Sequence, residues 1–267
     1  VVAGRISNRL DLRGTNCVVD AACASSFSAI HLAALELISG RSDMVVTGGV
    51  DTLNDIFMHM CFSKTHTLSA TGDARPFSKD ADGTVLGEGI GILVLKRLET
   101  AQKDGNRIYA VIKGLGSSSD GKSQSIYSPS IEGQIRALRA AYKNAGINPA
   151  TVGLIEAHGT GTRVGDKVEF KALNRIFEES GANGNKCALG SVKSMIGHTK
   201  ASSGAAGLIK AALGLYHKVL PPTLKAEVPD PELDIENSHF YLNSSARPWF
   251  TGNGHPRRAG VSAFGFG

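Results

Sequence analysis

No stretch of the 267-residue sequence approaches the ~20 consecutive apolar residues of a membrane span, and no charged-then-apolar leader opens it. Aromatic residues make up only 6%, and the 29 Lys and Arg are scattered, with no run longer than Arg257-Arg258. The net charge of +5 therefore comes without the basic, aromatic-interleaved stripe of a nucleic-acid binder; it fits a solvated surface and leaves room for an acidic protein partner. The four cysteines, Cys17, Cys23, Cys61 and Cys187, form no C-x-x-C pair. That excludes a zinc ribbon and a disulfide framework, and it fits a reducing, cytoplasmic setting. Asn243-Ser244-Ser245 spells a glycosylation sequon, but without a secretory leader it reads as a chance match. Residues 79–83 begin like a calcium loop and lack its closing Glu, so they read as a turn.

What is present is an ordinary globular composition, 42% apolar and 20% charged, with 32 glycines in short clusters such as Gly48-Gly49. Residues 16–20 form a short β-branched run that leads into small residues and then a helical apolar pattern closed by Gly40. Strands follow over 43–50 and 87–96, separated by a long segment, 51–82, whose Met58, Met60 and Phe62 are expected to pack inward. A second cycle predicts strands at 109–116, 152–157, 186–191, 240–242 and 258–264, with helices at 131–145, 165–180 and 199–217. Strand and helix alternate in both parts, which predicts an α/β protein of two halves, 1–105 and 106–267.

Cys23 falls where a strand meets a helix N-terminus. Unpaired N–H groups and the helix dipole there favour a thiolate, the nucleophilic form of cysteine, and the small neighbours leave space beside the sulfur. A lone cysteine is more often a buried packing residue, so partners decide the matter. Two histidines stand in matching positions, each after a predicted strand and amid glycines: His158 in Glu-Ala-His-Gly-Thr-Gly-Thr and His198 at the end of Ser-Val-Lys-Ser-Met-Ile-Gly-His. A packing role is the ordinary reading of one such histidine. Two of them near a cysteine fit donors that hold a carbonyl while an enolate develops. Lys193 reads either as a surface lysine or as a charge that orders a histidine or a water. Thr160 and Thr162 read as turn caps or as hydroxyls for a polar ligand arm.

With Asp-Ala-Ala-Cys-Ala-Ser-Ser around Cys23, both histidine motifs and the closing Ser-Ala-Phe-Gly-Phe-Gly, the chain resembles the β-ketoacyl synthase (ketosynthase) family of polyketide and fatty-acid synthases over essentially its whole length. Residues 48–52, 62–65, 125–129 and 235–238 look like the iterative polyunsaturated-fatty-acid synthase type. Departures from the commoner polyketide pattern are Ala21, Ala24, Lys167 and Lys200, and none removes a catalytic group. The resemblance implies a thiolase-like fold of five alternating α and β layers and a homodimer paired through the strand before Cys23. It implies that Cys23 accepts an acyl chain from a carrier-protein phosphopantetheine thioester, no cofactor being bound by the chain itself. Malonyl-carrier would then bind with its carbonyl on His158 and His198, decarboxylate and attack the acyl group. By the same resemblance, the N–H groups of Cys23 and Phe266 form an oxyanion hole, Phe266 gates the pocket, Lys193 orders the His158 region, and Thr160 and Thr162 touch the pantetheine arm. Family members carry further strands and helices before the segment matching Val1 and a Gly-Thr-Asn continuation after Gly267. The chain is thus expected to be a ketosynthase fragment that folds poorly or is inactive alone. Two rivals remain at this stage: a thioester hydrolase or plain acyltransferase, and a non-condensing, pocket-shaping partner of a true ketosynthase, which typically lacks the nucleophilic cysteine.

Overall fold

The computed structural model describes residues 1–122, 125–181, 186–251 and 254–266. In chain order its elements are α1 (Val2–Leu10), α2 (Ser25–Ile38), β1 (Met44–Asp51), α3 (Ile56–Lys64), β2 (Gly89–Lys96), α4 (Leu98–Lys103), α5 (Ile131–Ala145), β3 (Leu154–Glu156), α6 (Arg163–Glu179), β4 (Cys187–Gly190), α7 (Lys193–Ile196), α8 (Ser203–His217), β5 (Val219–Leu220), β6 (Phe240–Leu242), β7 (Arg247–Pro248) and β8 (Ala259–Val261). Strands β6, β4, β3 and β8 form a parallel sheet in that order; β1 pairs with β2, and β5 with β7, both antiparallel.

Each face of the parallel sheet follows from the alternation of its side chains. Ile155, Cys187, Leu189 and Phe240 pack with Ile135 of α5 and with Phe170, Leu173, Ile176 and Phe177 of α6. Burying one such side chain contributes about 1.5–3 kcal/mol, so this layer is a principal source of stability. Helix α5 is held at both ends, where Ser130 Oγ accepts the Gly133 N–H and Gly146 takes a left-handed C-terminal turn at φ 62. Leu154 and Ala188 point to the opposite face, against Leu220 and Trp249. On that side α8 also packs on β2 and on α2, so α2 and α8 form a central helical layer between the two sheets. The helices lock together where Ser26 Oγ accepts the Ala205 N–H at 3.0 Å.

Layer order is therefore α5 and α6, parallel sheet, α2 and α8, then the β1–β2 pair. The outward face of that pair is apolar and open, with Ile90 and Val94 each more than 60% exposed, so four of the five expected layers are present among the described residues. A groove of about 610 Å³ between β2 and α8, lined by Ile90, Ile196, Ile209 and Leu213, contains neither Cys23 nor His158. Among the described residues, no helix is long and apolar enough to cross a membrane, and no three His, Cys, Asp or Glu side chains converge to hold a metal ion. Asn243 of the sequon is buried, and its amide donates to Leu220 O, Pro221 O and Ser245 O, which removes it as a glycan acceptor.

Three sequence expectations are corrected. The segments 16–20 and 109–116 are not strands, because neither finds a ladder partner in the described chain, and Val18, Tyr109, Val111 and Ile112 are left exposed. The second of these leans on α5 instead, where the Asn144 amide donates to Leu115 O at 2.8 Å. Residues 51–82 are not wholly irregular. They contain α3, capped by Asp55, which half-buries Met58 and Phe62 one turn apart but exposes Met60 and Phe57.

The β1–β2 pair reaches the site through Gly49, where an added Cβ would lie 2.6 Å from Ser202 Cα, a backbone atom that cannot rotate away. Gly49→Ala is expected to lower stability by about 1–3 kcal/mol through overpacking, measured as a fall in the thermal unfolding midpoint.

Candidate active site

Cys23 lies in a 3-10 turn, Ala22–Ala24, that runs directly into α2. Ala22 just before it is at φ 48, a left-handed conformation that a β-carbon disfavours, so the sulfur is presented by a strained bend. The bend is braced. Asp20 Oδ1 accepts the Ala22 N–H at 3.0 Å, Ser25 Oγ donates to Ala22 O at 2.6 Å and accepts the Ala21 N–H at 2.9 Å, and Ser203 Oγ from α8 donates to Cys23 O at 3.1 Å.

His198 follows α7 and is 3% exposed. Its N–H donates to Val85 O at 2.6 Å and its carbonyl accepts from Gly87 N–H at 3.0 Å, which stitches the loop to the segment before β2. The Lys200 N–H donates to His198 Nδ1 at 3.2 Å. That leaves the ring proton on Nε2, which lies 3.2 Å from Cys23 Sγ and donates to it. His158 obeys the same rule, since its Nδ1 accepts the Phe264 N–H at 3.3 Å and its free N–H is therefore Nε2. The two rings meet edge to face, centroids 5.3 Å apart.

Behind the histidines lies a buried charged layer. Glu169 accepts the N–H groups of His158 and Gly159, each at 2.8 Å; Asp166 accepts those of Phe77 at 2.8 Å and Gly161 at 3.2 Å. Lys193, 2% exposed, donates from Nζ to His158 O at 2.5 Å. Glu156 accepts the Val192 N–H at 2.5 Å and pairs with Lys210 Nζ at 2.8 Å.

Burial, then the charge of Lys193, holds both imidazoles well below the ordinary histidine value, with the other histidine adding for His158 and Lys200 for His198; both are neutral donors at neutral pH. Burial likewise lowers the Lys193 ammonium, raises Glu169, and pushes Asp166 up to about 7. It also pushes the Cys23 thiol up to about 11, outweighing Lys193 and Lys200, which favour the thiolate. The expectation of a readily ionised cysteine is thus corrected for the free site: desolvation of the sulfur exceeds the help of the helix N-terminus.

Cys23, His158, His198 and Lys193 are brought together as the sequence predicts, although Lys193 is buried and acts on the His158 carbonyl. Thr160 and Thr162 face each other, their hydroxyls 2.8 Å apart, on the loop that follows His158. Phe266 is 43% exposed and makes an edge contact with Tyr127 at 5.1 Å, and Gly267 of the same motif lies outside the described residues. Gly265 packs on the bend before Cys23, for a Cβ there would sit 2.5 Å from Ala21 O. Asp166, Glu169, Glu156, Ser203 and Asp51 were not singled out by sequence reasoning. Asp166 and Glu169 carried a readable signal, because they fall on the apolar stripe of α6 with Phe170, Leu173, Ile176 and Phe177, where an unpaired charge is costly.

A buried cysteine at the foot of one central helix lies against His198, with His158 packed edge to face on that ring, within a thiolase-like arrangement of paired α/β halves. Solved structures agree: a ketosynthase from module 6 of the bacillaene synthase of Bacillus subtilis superposes with a TM-score of 0.95 at 42% identity, covering 98% of this chain and 47% of that one. An oxazolomycin ketosynthase domain of Streptomyces albus gives 0.95 at 37% identity, over 99% and 46% of the two chains. The family models for the N-terminal and C-terminal domains of β-ketoacyl synthase match residues 1–101 and 109–227, and the chain belongs to the β-ketoacyl synthase family. Among curated relatives, a polyunsaturated fatty acid synthase polypeptide of Thraustochytrium is 50% identical over 272 residues, covering 100% of this chain and 10% of the relative. A phenolphthiocerol/phthiocerol polyketide synthase polypeptide of Mycobacterium tuberculosis is 42% identical over 267 residues, 100% and 14% of the respective chains. The chain thus spans about half the length of the solved ketosynthase chains and about a tenth of these two synthases.

Two outcomes follow from the geometry. Alkylation of Cys23 by iodoacetamide is expected to accelerate with pH toward an inflection near the thiol value of about 11, since only the thiolate attacks; an inflection at or below pH 8 would contradict the burial argument. Glu169→Ala leaves the His158 and Gly159 N–H groups without an acceptor and is expected to cost about 1–3 kcal/mol for each, read by denaturant unfolding.

Proposed function

We propose that the chain carries out decarboxylative Claisen condensation as the ketosynthase part of a polyunsaturated-fatty-acid or polyketide synthase. The observation that carries this reading is the pair of imidazoles whose Nδ1 atoms are both occupied by main-chain N–H groups, one Nε2 lying against Cys23 Sγ at 3.2 Å. Histidines fixed this way donate to oxygen or sulfur and are poor proton acceptors, which suits enolate stabilisation better than the general-base role a hydrolase needs.

In this reading the Cys23 sulfur attacks the acyl carbonyl of a thioester on a carrier protein's phosphopantetheine. The sulfur–carbon bond to Cys23 forms, the pantetheine thiolate departs, and the proton lost from Cys23 ends on that sulfur. The N–H groups of Cys23 and Phe266 receive the charge on the carbonyl oxygen. A malonyl thioester then enters with its carbonyl oxygen between the Nε2–H groups of His158 and His198. Its carboxylate leaves as carbon dioxide, and the electron pair of the broken bond passes into an enolate that the two donors stabilise. The enolate carbon attacks the acyl carbonyl and the Cys23 thiolate leaves, giving a β-ketoacyl chain two carbons longer on the carrier.

Lys193 and Glu169 hold the His158 loop by its carbonyl and its N–H groups. Thr160 and Thr162 offer their hydroxyls to the pantetheine arm, and Phe266 gates the approach to Cys23. The carrier protein is the partner and supplies the phosphopantetheine. A homodimer joined through the exposed segment before Cys23 and a cytoplasmic location complete the proposal, with residues 1–105 supplying the nucleophile and 106–267 the histidines.

Intact-mass measurement of the full-length protein after incubation with an acyl-carrier thioester is expected to show one acyl group on the parent and none on Cys23→Ala. Addition of malonyl-carrier should then release a β-ketoacyl product. An acyl group retained by the variant, or a folded parent that never acylates, overturns the reading. Because both imidazoles stay neutral as pH falls through the ordinary histidine range, malonyl decarboxylation should be level between about pH 8 and 6, with its loss confined to lower pH.

A further inference from the structure

One ion pair beside the site, Lys200 buried and Asp51 half-buried, has no part in the scheme above. Asp51 closes β1, and Lys200 opens the 3-10 turn Lys200–Ser202 that precedes α8. Lys200 is 5% exposed and stands at φ 47, a left-handed conformation adopted here by a long side chain that would favour neither the strain nor the burial on its own. Its Nζ pairs with Asp51 Oδ1 at 3.0 Å and donates to Asn54 Oδ1 and, at 3.1 Å, to Gly87 O. Asp51 Oδ2 in turn accepts the Ala201 N–H at 3.3 Å. The turn is thus tied to β1 through both its side chain and its backbone. What the turn holds is the Lys200 N–H, aimed back at His198 Nδ1 at 3.2 Å, the bond that leaves Nε2–H facing Cys23.

We propose that Asp51 and Lys200 are a positioning pair for the Cys23–His198 couple, clamping the left-handed turn that fixes the imidazole as a donor to sulfur and balancing the charge felt by the thiol. The inference rests on the condensing reading only for the identity of the reacting groups, and it deepens that reading by naming what holds His198. The titratable groups acting on the sulfur are His198, in contact with it and packed on His158, Lys193 from α7, Asp51 from β1 and Lys200 from the turn. Of these, Asp51 favours the protonated sulfur, whereas Lys193 and Lys200 favour the thiolate.

The test is the pH profile of Cys23 alkylation by iodoacetamide in the full-length protein, located by peptide mass, with thermal unfolding recorded in parallel. Lys200→Met leaves Asp51 unpaired, and its inflection is expected to rise by about half a pH unit, slowing alkylation at pH 8 about threefold. Asp51→Asn keeps an amide oxygen for Lys200 Nζ, and so the clamp, while removing the negative charge; it should move the inflection the opposite way, and Lys200→Arg should restore the parent profile. Loss of packing alone would not produce shifts of opposite sign. Folded variants that keep the parent profile, or that both shift in one direction, overturn the proposal; if Lys200→Met fails to fold, the direction found for Asp51→Asn decides. Failure of the parent to accept an acyl group would count against the condensing reading and leave this comparison intact.

Discussion

Two main-chain N–H groups determine what this site can do. The Lys200 N–H occupies Nδ1 of His198 and the Phe264 N–H occupies Nδ1 of His158, so each ring keeps its proton on Nε2, which in His198 faces Cys23 Sγ. Main-chain donors cannot rotate away or change protonation, and in a buried setting this makes the histidines fixed dipoles whose ionisation is suppressed at neutral pH. The loops that carry them must then be held to within a fraction of an ångström, and much of the remaining polar structure does this. Glu169 and Lys193 fix the His158 loop from opposite sides, and Val85 and Gly87 fix the His198 loop.

That requirement explains the unusual number of charges inside the protein. Glu156, Asp166, Glu169, Lys193 and Lys200 are all 5% exposed or less, a placement that is unfavourable for a lone charge. Here each carboxylate accepts main-chain N–H groups of a loop or pairs with a lysine, so the desolvation cost is offset by bonds that also remove the loops' freedom. The same burial keeps the Cys23 thiol protonated in the free site. Its reactivity therefore depends on the His198 donor and on the charges that surround it more than on the helix N-terminus alone.

The candidate cysteine and histidines were legible because their signals are local: a cysteine among small residues before a helix, and two histidines among glycines after strands. Most elements were legible too, from periodicity and from the turn at Gly40. The segments 16–20 and 109–116 were misread because a strand is a relation between two stretches of chain, and a β-branched run does not reveal whether a partner lies beside it. The carboxylates of α6 escaped notice although the helical stripe contains them, since a charge on an apolar face gains meaning only when the groups it binds are known.

The sequence by itself determined the alternation of strands and helices, the family, and the identities of Cys23, His158 and His198, since these follow from residue type and spacing along the chain. Tertiary structure alone decided that Lys193 is buried and bound to a carbonyl, that both imidazoles carry their proton on Nε2, and that Asp51 finds Lys200 across 149 positions of chain. Each of these depends on distances of about 3 Å between groups far apart in sequence, and such distances exist only after the two sheets have closed on α2 and α8.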